Sequence, residues 1–143
     1  MKRFSWWIAA LWWGSLTTLG FLVVPLLFAH LPTPTIAGNM AAKLFTAQTW
    51  VSVVCGLLIL LLSTRKKPDV PDNYAYAAII YIVGGMLLAL LSEFAVAPKI
   101  VARENLKLWH GVGSAMYLVQ WLFAGATFWK LLPNHHESHQ SRH

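Results

Sequence analysis

Apolar positions along the chain gather into four long runs, parted by short polar stretches rich in proline and charge. The first run, SWWIAALWWGSLTTLGFLVVPLLFA at residues 5–29, contains no charged residue. The second is LFTAQTWVSVVCGLLILLLS at 44–63. The third is YAYAAIIYIVGGMLLALLS at 74–92, with an apolar continuation to Ala97. The fourth is LWHGVGSAMYLVQWLFAGATFW at 108–129. A hydrocarbon core about 30 Å thick takes about 20 mostly apolar residues as helix. Each run therefore predicts a membrane-spanning helix.

The connections are short. HLPTPTIAG (30–38) carries Pro32 and Pro34, which stop one helix and open the next, with Thr35 as the expected cap and a start near Ile36. TRKKPDVPDN (64–73) and PKIVARENLK (98–107) read as hydrophilic links. The expected spans are about 5–29, 37–63, 74–97 and 108–130 within a domain covering 1–132. The polar, His-rich end PNHHESHQSRH (133–143) is expected to be a disordered tail. Lys2 and Arg3 before an apolar run also resemble a secretory signal. Signal h-regions run about 7–15 residues, so the longer run 5–29 is read as a retained span. The fold class expected is all-α: an integral membrane protein of four transmembrane helices in an antiparallel up-down-up-down bundle. Gly14, Gly20, Gly56, Gly84, Gly85, Gly111, Gly113 and Gly125 supply small surfaces where such helices can approach. No internal repeat is evident from the residues alone.

Composition supports the membrane. The chain of 143 residues is 57% hydrophobic and 11% charged, against roughly 25% charged in a soluble domain. Its eight tryptophans suit two membrane–water interfaces. The net charge of +6 would suggest nucleic acid in a soluble protein, but the basic residues bunch at the ends of apolar runs, and the expected partner is the lipid bilayer. A second copy of the chain or another membrane protein is the further partner expected. The single cysteine, Cys55, reads as a small buried hydrophobe. Lys2, Arg3, Arg65, Lys66, Lys67, Lys130 and Arg142 fall on the side of the termini, against Lys43, Lys99, Arg103 and Lys107 on the other. The positive-inside bias then places both termini in the cytoplasm, in a bacterial-type inner membrane.

Candidate chemistry concentrates at the opposite end. Glu93, Lys43, His30, His110, Lys99 and Arg103 fall at one level of such a bundle. A lone carboxylate at membrane depth costs about 2.5–3.5 kcal/mol on insertion scales. Glu93 should therefore face inward and pair, first with Lys43 and second with His110. On the fourth helix His110, Ser114, Tyr117 and Gln120 or Trp121 share one face, and Gln48 and Ser52 (with Cys55) do so on the second. Two readings stand: interhelical hydrogen bonding, or a small polar cavity at this end. His30 and His110 with Glu93 could in principle hold a metal, and the tail histidines could hold one weakly. The tail histidines His135, His136, His139 and His143 read as solvated. No phosphate loop and no Ser/His/Asp arrangement is found, so no catalytic residues are assigned.

Two stretches carry a family resemblance. VVPLLFAHLPTPTIAGNMAAKLF has a proline in the outgoing first helix, Phe28, a short loop, Ala37–Gly38 and Phe45. APKIVARENLKLWHGVGSAMYL has a Pro–x–Ile element, an arginine, and His–Gly opening the last helix. With four spans, residues 8–130 resemble the domain-of-unknown-function 4149 family, the group that includes transmembrane protein 205-like proteins. The resemblance implies Pro25, Phe28, Ala37, Gly38, Phe45, Pro98, Arg103, His110 and Gly111 as family-pattern positions. It implies a membrane fold and no established activity. VVPLLFAH is also faintly similar to protoporphyrinogen-oxidase-like and copper-resistance-D-like proteins, though a histidine opening the first helix is missing. Three functions follow as expectations: a transporter-like or accessory protein with a ligand or ion site, a haem- or copper-binding protein, or an assembly factor. No cofactor is assigned beyond the haem or copper of the second.

Overall fold

The computed structural model describes residues 2–64, 73–102 and 104–132, and these form helices joined by brief links. α1 (residues 2–30) consists of Lys2–Thr18, a π-helical turn Leu19–Val23, and Val24–His30. α2 is Pro34–Thr64. α3 (residues 73–101) consists of Asn73–Leu91, a second π-helical turn Ser92–Val96, and Ala97–Val101. α4 is Leu106–Leu131. No strand occurs among the described residues.

Among the described residues, three stretches are long and apolar enough to cross a membrane: Phe4–His30, Pro34–Ser63 and Ala77–Val101. At 1.5 Å per residue each spans roughly 37–45 Å, more than a hydrocarbon core. α4 is of similar length but more polar, because it carries His110, Ser114, Gln120 and Thr127. Large apolar side chains such as Phe4, Trp7, Leu11, Leu61, Ile80 and Phe94 cover the outside. A water-facing surface rarely tolerates so many; acyl chains accept them.

Two helix boundaries differ from the sequence expectation. α2 begins at Pro34, and its cap is Thr33 rather than Thr35. The Thr33 hydroxyl accepts the Ile36 N–H at 3.3 Å, and Pro34 occupies the first helical position, where its missing N–H costs nothing. α3 also continues past Pro98 to Val101. A proline inside a helix lacks a donor and pushes against the carbonyl four residues back. Here a wide turn absorbs the clash. The Ala97 N–H donates to the Ser92 carbonyl, five residues back, immediately before Pro98. α1 repeats the device: the Val24 N–H donates to the Leu19 carbonyl immediately before Pro25. The chain then turns into α4 within a few residues. Asn105 adopts the left-handed conformation (φ 38°) that asparagine tolerates.

Each helix packs on the next, and α4 closes the ring against α1. α1 meets α4 through Trp13 at Gly125 and Tyr117 at Gly20, and α2 meets α3 through Met86 at Gly56. The core fills the half of the ring nearer the termini. Trp12, Leu16, Ile59 and Ile82 are fully buried there, beside Cys55 and Ala124. A Cβ at Gly85 would lie 2.8 Å from the Trp12 indole, so the bare backbone lets that large ring in. Trp6, Trp13 and Phe128 stack beside it.

The π turns expose a repeat that residue identity hides. Leu19 and Ser92, Phe21 and Phe94, and Pro25 and Pro98 are separated by the same interval. On the following helices another shared interval separates Pro34 from Leu106, Phe45 from Tyr117, and Gln48 from Gln120. The hairpins α1–α2 and α3–α4 are thus built alike, each with a π turn, a proline, a short link and a glutamine in the second helix.

Candidate functional site

The half of the ring beyond the core, where α1 and α3 run out past their prolines, holds a cavity of about 450 Å³. All four helices line it, and most of the lining residues stand at matching positions of the two hairpins. Gly20, Val24 and Phe28 of α1 correspond to Glu93, Ala97 and Val101 of α3. Gly38, Ala41, Phe45 and Gln48 of α2 correspond to His110, Gly113, Tyr117 and Gln120 of α4. Phe45 and Tyr117 meet edge to face, with ring centroids 5.3 Å apart. The walls are mostly carbon.

A hydrogen-bonded layer closes the floor. Gln120, only 3% exposed, donates to Ser52 Oγ at 3.0 Å. Ser52 Oγ donates to the Gln48 carbonyl at 2.9 Å, and the Gln48 amide donates to Ser15 Oγ at 2.9 Å. Ser15 Oγ in turn donates to the Trp12 carbonyl. This chain links α4, α2 and α1, and it satisfies each hydroxyl it passes through, as buried polar groups require. The Tyr117 hydroxyl donates to the Leu16 carbonyl at 2.7 Å, and the Trp121 indole donates to Thr17 Oγ1 at 2.8 Å. These bonds fix both rings, of which Tyr117 lines the cavity. Tyr117 can stand there because Gly20 is bare: a Cβ would lie 2.5 Å from its ring.

Glu93 is half-buried on the cavity wall. Its Oε1 accepts the Thr46 hydroxyl at 2.9 Å. Lys43 is therefore not the partner that depth alone suggested. It is exposed, and the ion pair found among the described residues is Lys99–Glu104 at 2.8 Å, on the surface. Lys43 and Thr46 are three positions apart, about 60° around the helix axis. Thr46 faces α3, and Lys43 looks aside, its stem directed back toward the start of α2 and the nearby surface.

The other predicted residues divide. His110, Ser114, Tyr117, Gln120 and Gln48 line the cavity with Glu93, and Ser52 lies behind its floor. His30 is exposed, its Nδ1 3.0 Å from the Leu26 carbonyl of its own helix, and Lys99 is held by Glu104. Arg103 and the tail histidines lie outside the described residues. Among the described residues no three His, Cys, Asp or Glu side chains gather as a metal site. The residues that sequence reasoning missed are Thr46, Ser92 and Phe21. The signal that would have found them is the matched pair of prolines, since both π turns border the cavity.

Comparison with known proteins identifies a family. The profile of the family described as Domain of unknown function (DUF4149) covers residues 7–108, most of the chain and three of its four helices. No curated protein and no solved structure matches it. The chain belongs to the DUF4149 family.

Proposed function

We propose that this is a transporter-like or accessory protein of a bacterial-type inner membrane, whose four helices all cross the bilayer antiparallel, with both termini in the cytoplasm. Its site is the cavity between the two hairpins. One observation carries the reading: the cavity is lined at matching positions of two alike hairpins, each broken by a π turn. Transporters built from repeats hold their substrates where the repeats meet, beside interrupted helices. A mostly apolar cavity with a few polar groups is also the ordinary form of a small-molecule site, and its volume suits a ligand of modest size. The ligand expected is amphipathic and membrane-soluble.

Gly38 offers the test. It lines the cavity, and a Cβ there would meet nothing within 4 Å, as would one at Gly14, outside the cavity. Wild type, Gly38→Leu and Gly14→Leu are purified in native lipid particles, and their extracts are compared by mass spectrometry. The expected result is a small molecule enriched with wild type and Gly14→Leu and lost from Gly38→Leu. No enrichment, or equal enrichment in all three, would overturn the reading.

A further inference from the structure

The matching positions differ in one chemical respect. The first hairpin gives the cavity wall Gly20, and the second gives Glu93. Thr46 supplies one hydrogen bond to one carboxylate oxygen, whereas an ionised carboxylate offers about four lone-pair sites. No Lys, Arg or His among the described residues lies within ion-pair distance of it. Adjacent Ser92 Oγ is buried and has no partner among the described residues. The wall facing this polar corner is aromatic: Phe45 and Tyr117 in contact, with Phe21 nearby on the lining.

A carboxylate with unused acceptors, a spare hydroxyl and exposed ring faces share one preference. Each is satisfied by a positive charge or by an N–H donor. Aromatic faces attract ammonium groups, most strongly where water is excluded. The apolar remainder of the cavity fits a hydrocarbon body. Resting on the cavity being the ligand site, we infer that its occupant is a lipophilic monocation, an amine or quaternary ammonium on an apolar body, with Glu93 as counter-ion. Thr46 orients the carboxylate toward the cavity. An anionic amphiphile would meet Glu93 with like charge, and a neutral one would leave the charge of the carboxylate unbalanced.

The test is a charge series of one shape. Octyltrimethylammonium, the isosteric neutral octyltrimethylsilane and octanesulfonate are measured by equilibrium dialysis of labelled probe against protein in lipid nanodiscs, with empty nanodiscs subtracted. The expected result is at least about tenfold tighter retention of the cation than of the silane, and no retention of the sulfonate. Glu93→Gln should bring cation and silane together, Glu93→Asp should keep the preference, and Gly38→Leu should abolish retention of both. If Glu93→Gln does not fold, the series on wild type and Glu93→Asp decides. Equal cation and silane binding, both lost in Gly38→Leu, would overturn the counter-ion assignment and leave the cavity as the site. Retention of none of the three would overturn both.

Discussion

The hairpins α1–α2 and α3–α4 share a plan and differ in what they bring to the cavity between them. Each runs outward through a π turn and a proline, and each returns with an aromatic ring and a glutamine facing the other half. At two matching positions the chemistry diverges. Where the first hairpin has Gly20 and Gly38, the second has Glu93 and His110. One hairpin supplies room and the other supplies ionisable groups. Gly20 admits the Tyr117 ring, and Gly38 leaves open space in the lining. Like architecture builds the cavity, and unlike residues give it a polar corner on one side.

The largest expected effect separates the two glycines. Gly20→Leu drives a side chain into Tyr117, which its bond to the Leu16 carbonyl holds in place. Overpacking of this kind costs about 1–3 kcal/mol, so thermal unfolding in detergent should fall by several degrees. Gly38→Leu should leave unfolding nearly unchanged while filling the cavity. Equal losses in both variants would break the distinction between a packing glycine and a cavity glycine.

The glutamines come next. Gln48→Leu and Gln120→Leu each remove one interhelical hydrogen bond, worth about 0.6 kcal/mol and at most about 1.7 within a membrane. Neither change orphans a hydroxyl, because Ser15 and Ser52 keep their bonds to backbone carbonyls. Similar small losses in the two variants, read by denaturation in mixed micelles, would support the matched roles. A loss above 3 kcal/mol in either would contradict them.

Thr46→Val should cost about 0.6 kcal/mol by the same measure, and Lys43→Met should cost less. In a double-mutant cycle with Glu93→Leu, which removes the acceptor, coupling should appear for Thr46 and be near zero for Lys43. The smallest effect on stability is expected for Pro98→Ala. Alanine suits a helix and restores an N–H, so unfolding should shift by under about 0.5 kcal/mol. The π turn would lose its cause, however, and the end of α3 would rotate. Glu93 would then leave the cavity wall, and ligand retention should drop with little loss of stability.

The sequence made the apolar lengths plain, because four runs long enough for a bilayer leave few alternatives to a helical membrane fold. The helix ends were harder. Pro98 looked like the start of a loop, since a proline ordinarily stops a helix, yet a π turn lets α3 pass it. Depth along a helix could be counted, which brought Glu93, His110 and the polar face of α4 to one end. Direction around the axis could not be counted from so few polar marks, so Lys43 stood in for Thr46 one turn away. The repeat was hidden for a related reason. Its matched positions hold glycine against glutamate and glycine against histidine, and only a few, such as Phe21 and Phe94, Pro25 and Pro98, and Gln48 and Gln120, keep their identity.

The most direct test of a cavity formed where the two hairpins face each other is a cross-link between Phe45 and Tyr117. Cysteines replace both residues in a Cys55→Ala background, and native membranes are treated with dibromobimane, which fluoresces when it joins two nearby thiols. A fluorescent product is expected for Phe45→Cys with Tyr117→Cys, and none for Phe45→Cys with Trp129→Cys, which lies exposed toward the far end of α4. Absence of product from the first pair, with both thiols shown to be reactive, would contradict that arrangement.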